Sequence, residues 1–158
     1  MRVALVTVSD SVSQGLRADR SGVVLRERCQ QLGWQVSSAV VVPDESFVLQ
    51  ARLIELADAG LADLILTTGG TGVGPRDTTP EATAAVCEKL IPGLGELMRE
   101  KGRQATPRAA LSRAIAGVRG RTVIVNLPGS PKGAVESLDA VAALLPHAVE
   151  VLRGARHD

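Results

Sequence analysis

The sequence predicts an α/β protein: a mostly parallel sheet sandwiched by helices, with a small hairpin. Apolar runs alternate with amphipathic stretches along the chain, the pattern of repeated strand-helix units. Those runs are also continuous rather than alternating, as expected of strands covered on both faces. Residues 1–158 are read as one domain, because the length suits one core and no linker or low-complexity tract interrupts it.

Residues 3–8 make the first strand, followed by a polar loop over 9–20. Residues 21–32 are expected to be helical, since Val24, Leu25, Cys29 and Leu32 fall at helical spacing and Gly33 suits the cap position. The second strand, 36–42, is stopped by Pro43; Phe47, Leu49, Leu53, Ile54, Leu56 and Ala57 mark a second helix ended by Gly60. Residues 64–67 form the third strand. Thr78-Thr79-Pro80-Glu81 opens another helix, where a first-turn proline forfeits no hydrogen bond and a glutamate suits the dipole. Residues 91–112 read as short helical pieces broken by Pro92-Gly93, Gly102 and Pro107. Residues 114–118 and 122–125 flank Arg119-Gly120-Arg121 as a hairpin, and 134–152 is a long apolar helix kinked or interrupted at Pro146.

Composition narrows the function. With 18 Lys plus Arg against 17 Asp plus Glu, there is no broad basic field for nucleic acid. Trp34 and Phe47 are the only aromatic residues, too few for base stacking. No apolar run approaches the roughly 18 residues of a membrane span, and the N-terminal apolar stretch is too short for a signal peptide, so a cytoplasmic protein is expected. Cys29 and Cys87 read as buried hydrophobes, and His147 and His157 have no Cys or carboxylate at ligand spacing, so no zinc site is expected.

In a parallel sheet, ligands bind beyond the carboxyl ends of the strands. Four loops are expected on that rim: 9–22, 43–46, 67–77 and 126–133. In the third, Gly69, Gly70, Gly72 and Gly74 allow close backbone approach and turn amides toward an anion, while Thr67, Thr68 and Thr71 add hydroxyls. It is neither a P-loop nor a dinucleotide fingerprint. Asp10, Asp44 and Asp77 follow strands on the same rim, and two of them are candidates to hold Mg²⁺ over a nucleotide. For Asp44 and Asp77 the competing reading is a helix cap. Lys132, in the stiff Pro128-Gly129-Ser130-Pro131 loop, is a candidate phosphate partner, whereas Arg17, Arg20, Arg26 and Arg28 read as a solvated helix face. No histidine or cysteine lies on the rim, which disfavours covalent catalysis and leaves phosphate positioning.

Thr67-Thr68-Gly69-Gly70-Thr71-Gly72, followed by Arg76-Asp77, Thr79-Pro80-Glu81-Ala82, resembles the signature of the MoaB/Mog family of molybdenum-cofactor biosynthesis proteins. Ser9-Asp10 with Gly15, Asp19 and Ser21-Gly22, the Val42-Pro43-Asp44 turn and Leu127-Pro128-Gly129-Ser130-Pro131 extend the resemblance over essentially the whole chain. The resemblance implies a molybdopterin-binding fold, a homotrimer, and Mg²⁺-dependent transfer of an adenylyl group from ATP to molybdopterin with release of pyrophosphate. It makes Asp44 and Asp77 the critical aspartates and the expected Mg²⁺ ligands. Thr68, Gly69, Gly70, Thr71 and Gly72 become the nucleotide and pterin cradle, with Ser9, Asp10, Pro128, Gly129, Ser130 and Lys132 lining the pocket. A downstream molybdate-insertion enzyme would receive the product. The alternatives are a non-catalytic molybdopterin carrier or scaffold, and a nucleotide pyrophosphatase using the same pocket.

Overall fold

The computed structural model describes residues 1–156, so His157 lies outside the described residues. The elements run β1 (Arg2–Val8), α1 (Asp10–Ser13), α2 (Arg20–Gln31), β2 (Gln35–Val42), α3 (Ser46–Asp58), β3 (Leu64–Thr68) and α4 (Thr79–Val86). Then follow β4 (Lys89–Leu90), α5 (Pro92–Arg103), a 3₁₀ turn (Pro107–Leu111), β5 (Ala116–Arg119), β6 (Thr122–Leu127), α6 (Pro131–Val141) and α7 (Leu145–Leu152). One sheet has the order β2-β1-β3-β6-β5-β4. Its first four strands are parallel, and the β5–β6 hairpin and β4 are antiparallel.

Burial on both faces explains the continuous apolar runs. Val3, Leu5, Leu64, Leu66, Val123 and Val125 pack on one side against α2, α5, α6 and α7, through residues such as Leu25, Met98, Leu138 and Leu145. Ala4, Val6, Ile65 and Ile124 point the other way, onto Leu49 and Leu53 of α3 and Ala82 and Val86 of α4. Successive residues of a strand therefore serve opposite layers. Gly33 and Gly60 follow the ends of α2 and α3 at φ +78° and +69°, the left-handed turn that terminates a helix. Cys29 and Cys87 are both free thiols, and burial pushes each up to about 11.

Several boundaries differ from expectation for local reasons. Pro92 does not break a helix but starts α5, where its missing N–H costs nothing, and Gly102 lies in the last turn of that same helix. Pro107 likewise opens the 3₁₀ turn. Pro146 interrupts the C-terminal segment, separating α6 from α7, and α6 begins earlier, at Pro131. The loop after β1 contains the short α1, and the two-residue β4 is too brief to show a period. Phe47 sits on the open side of α3, 84% exposed, so only Leu49, Leu53 and Ala57 form its buried face. No helix among the described residues is long and apolar enough to cross a membrane.

At the end of the sheet away from the β-strand C-termini, Asp63 is buried and collects donors from two arginines. Arg2 contributes its amide at 2.7 Å and its guanidinium at 3.0 Å, and Arg153, just after α7, contributes a second guanidinium. Burial alone would raise this carboxyl, but the hydrogen bonds from Arg2 and the charges of both arginines hold it below the usual range. A lowered folded-state pKa contributes stability at neutral pH that is lost as pH falls. Asp63→Asn is expected to cost about 1–3 kcal/mol at pH 7. In urea titrations the gap from wild type should close as pH drops from about 4 through that lowered pKa. A gap independent of pH would refute this assignment.

Candidate functional site

Because β2, β1, β3 and β6 are parallel, the four loops that follow them emerge on one rim and enclose a cleft of about 430 Å³. Ser9, Asp44, Thr68, Gly69, Gly70, Asp77, Gly129 and Ser130 line it, so residues from four separate stretches of sequence meet there.

The glycine loop can take this place only because side chains are missing. Gly69 has φ +106°, and a Cβ there would lie 2.2 Å from the carbonyl oxygen of Val8. Its amide donates to Leu127 at 3.1 Å, while Thr68 Oγ1 donates to the Pro128 carbonyl at 2.7 Å. Those bonds pin the loop after β3 to the loop after β6, whose Gly129 would carry a Cβ only 3.3 Å from the Gly69 Cα. At Gly70, φ +69°, a Cβ would meet Thr79 Oγ1 at 2.3 Å and Asp44 Oδ1 at 3.2 Å. Thr79 Oγ1 is itself buried without a hydrogen-bond partner. Among the described residues, the amides of Gly70, Thr71 and Gly72 make no hydrogen bond within the protein, leaving donors available to an anion.

The acidic residues are held by backbone, not by helix capping. Asp44 Oδ2 accepts from the Asp10 amide at 2.9 Å, and Asp10 Oδ1 accepts from the Asp44 amide at 2.9 Å. Asp10 also receives two guanidinium bonds from Arg76, at 2.8 and 3.0 Å, which hold its carboxyl below the ordinary range. Asp10 therefore does not line the cleft as expected, because its carboxylate is spent on Asp44 and Arg76. Asp77 Oδ2 accepts from the Gly74 amide at 2.9 Å. The N-caps of α3 and α4 are Glu45 and Thr78, which disposes of the capping alternative for Asp44 and Asp77.

Burial pushes the Asp44 carboxyl up, and the charges of Asp10 and Asp77 push it further against the Asp10 amide bond. Asp44 and Asp77 each keep one carboxylate oxygen without a protein donor. Two carboxylates facing one cleft, with room for waters and phosphate oxygens, fit a Mg²⁺ ion. Among the described residues no cluster of three or more His, Cys, Asp or Glu side chains could hold a metal by itself.

Two helix N-termini complete the rim. At α2, Asp19 caps the Gly22 amide at 2.9 Å and accepts from Thr7 Oγ1 at 2.9 Å. At α6, Ser130 Oγ accepts from the Gly133 amide at 3.1 Å. Asp19, Arg20 and Ser21 line the cleft from α2, as does Arg17 from the preceding turn, and such helix ends favour anions. Arg17 and Arg20 are exposed, as a solvated face requires, and at the same time border the cleft. The Asp19-to-Gly22 spacing, a cap motif at the start of α2, is the sequence signal that could have placed them on the rim. Lys132 does not reach the cleft: it lies in the first turn of α6, 85% exposed and 3.9 Å from Glu136. Thr71 is buried and uses its carbonyl to accept from the Arg113 amide. Gly72 and Pro128 border a separate, more apolar pocket of about 270 Å³, together with Met98, Leu111 and Ala114.

The sequence profile described as "Probable molybdopterin binding domain" matches residues 4–147. Molybdopterin adenylyltransferase of Helicobacter pylori is 40% identical over 156 residues, covering 98% of this chain and 89% of that one. The protein of the same name from Escherichia coli K12 is 35% identical over 174 aligned positions, covering 98% and 86%. Among solved structures, the molybdopterin biosynthesis enzyme MoaB of Thermus thermophilus superposes with a TM-score of 0.91 at 50% identity, covering 99% of both chains.

Gly15 and Gly69 both have positive φ, but only at Gly69 is the space of a Cβ occupied. Gly15→Ala should therefore cost about 1 kcal/mol, the left-handed penalty alone. Gly69→Ala should cost at least twice as much in urea denaturation, and equal losses would show that the approach to Val8 is unimportant.

Proposed function

Because this chain belongs to the family of probable molybdopterin binding domains and is similar to MoaB over its whole length, we propose that it transfers an adenylyl group from ATP to molybdopterin in molybdenum cofactor biosynthesis. The Helicobacter pylori and Escherichia coli relatives carry the name molybdopterin adenylyltransferase at 35–40% identity over nearly the full chain. The observation that carries the reading is the convergence of the uncommitted Gly70 amide, two helix N-termini and two half-free carboxylates on one cleft. Such a cleft is built to hold phosphates and to stabilise charge on a group passing between them.

In the proposed reaction an oxygen of the terminal phosphate of molybdopterin forms a bond to the α-phosphorus of ATP. The bond between that phosphorus and the α–β bridging oxygen breaks, and the electron pair leaves with pyrophosphate. Both phosphate groups are already ionised at neutral pH, so no proton need be removed from the nucleophile. The Gly70 amide and the starts of α2 and α6 would bind phosphate oxygens, and Arg17 and Arg20 would offset their charge. Ser9, Thr68, Gly129 and Ser130 shape the wall. Asp44 and Asp77 would hold Mg²⁺, which supplies charge neutralisation on the phosphates. Asp10, tied to Asp44 and Arg76, would fix Asp44 in place.

The further parts of this reading are a cytoplasmic, single-domain protein acting as a homotrimer and passing its product to a molybdate-insertion enzyme. The open edge of β2, with no charged residue or proline to block pairing, and exposed Phe47 support a covered surface in the assembly. Light scattering should give three times the chain mass, and a monomer would remove that part.

The decisive assay combines molybdopterin, ATP and Mg²⁺ and resolves adenylylated molybdopterin. Asp77→Asn should lower its formation at least about a hundredfold while pterin binding stays measurable. Normal turnover in that variant defeats the role given to Asp77. Pterin binding without ATP consumption in the wild type would identify a carrier, and ATP hydrolysis without pterin would identify a pyrophosphatase.

A further inference from the structure

We propose that Arg113 is the positioning residue of the glycine loop, holding the backbone of residues 71–77 so that the Asp77 carboxylate and the loop amides face the cleft. This deepens the adenylyl-transfer reading and rests on it for the catalytic consequence, though not for the geometry. Arg113 lies between the 3₁₀ turn and β5, outside every motif singled out in the sequence, and does not line the cleft.

Its contacts span the loop from end to end. The Arg113 amide donates to the Thr71 carbonyl at 2.8 Å. Nε donates to the Gly72 carbonyl at 2.7 Å, and Nη2 donates to the Asp77 carbonyl at 2.7 Å. Nη1 pairs with Glu81 in the first turn of α4. Among the described residues, no other side chain donates to a carbonyl of residues 69–77.

The physical need for such a brace is plain. Gly70, Gly72 and Gly74 give this segment more backbone freedom to lose on ordering than any other residue type would. Apart from Arg113, among the described residues the Thr79 amide to the Gly70 carbonyl, at 3.1 Å, the Asp77 amide to the Gly74 carbonyl, at 3.1 Å, and the Gly74 amide to Asp77 Oδ2 oppose that freedom. The carbonyls of Thr71, Gly72 and Asp77 are thereby satisfied by Arg113, which does not itself line the cleft. That arrangement leaves the amides of Gly70, Thr71 and Gly72 uncommitted. Only a planar guanidinium can serve two carbonyls and a carboxylate from fixed directions at once; a lysine ammonium in its place keeps the charge but not the fork.

The test compares Arg113→Lys, Arg113→Ala and Glu81→Gln with wild type. Two readouts are taken: amide hydrogen exchange across residues 71–77 without substrates, and the KM-against-kcat split for adenylyl transfer. For both Arg113 variants, exchange at the hydrogen-bonded Gly74 and Asp77 amides of this segment should rise at least tenfold while the strands keep wild-type protection. Their kcat should fall at least tenfold, with the KM for ATP rising less. Glu81→Gln, which keeps the carbonyl bonds, should stay within twofold in both readouts. Millimolar guanidinium should restore several-fold of the Arg113→Ala activity, and ammonium should restore none. Wild-type exchange in Arg113→Lys overturns the proposal, as does a loss of protection spread over the whole protein, which would mark a merely structural role. Locally raised exchange in a protein whose wild type transfers no adenylyl group would instead sink the proposed reaction and leave the brace standing.

Discussion

Parallel pairing of β2, β1, β3 and β6 is the constraint on which everything else depends. It sends four chain segments out of the sheet at the same edge, whatever their separation in sequence. Ser9, Asp44, Gly69 and Gly129 are neighbours for that reason alone. Pairing of β1, β3 and β6 is protected by burial on both faces, and underneath the cleft by Asn126. Its fully buried amide group donates to Thr67 at 3.0 Å and to Thr83 at 2.9 Å, tying β6 to β3 and α4 just below the glycine loop.

The cleft balances opposite charges without neutralising them pairwise. Helix ends, uncommitted amides, Arg17 and Arg20 make most of its wall attractive to anions. Asp44 and Asp77 are the exceptions, and neither forms a salt bridge among the described residues. Their neighbours Asp10 and Glu81 do, with Arg76 and Arg113 respectively. The arginines of the glycine loop's surroundings are thus absorbed by supporting carboxylates, and the two cleft aspartates are left without an arginine partner.

Much of this was legible in the residues. Continuous apolar strands, glycine helix stops and the hairpin around Gly120 were all foreseeable, because each rests on local periodicity or on one backbone conformation. The rim also followed, since loops after parallel strands share an edge by topology. What was not legible depended on tertiary partners. Pro92-Gly93 reads as a break or as a helix start from the same letters, and only packing of Leu94 and Met98 into the core decides it. Arg17 and Arg20 look like solvated charge until the first turn of α2 is seen to face the cleft. Lys132 looks like a phosphate partner until its outward direction on α6 is known. Arg113 has no sequence signature, because its role lies in reaching carbonyls some forty residues earlier in the chain.

The two native thiols have a practical corollary. With burial keeping Cys29 and Cys87 near 11, almost no thiolate exists at neutral pH to compete for a maleimide or a spin label. A cysteine introduced at the outward-facing Lys132 position, on the lip of α6, would therefore take up a fluorophore selectively. The chain comes with a quiet background for watching its own ligands arrive.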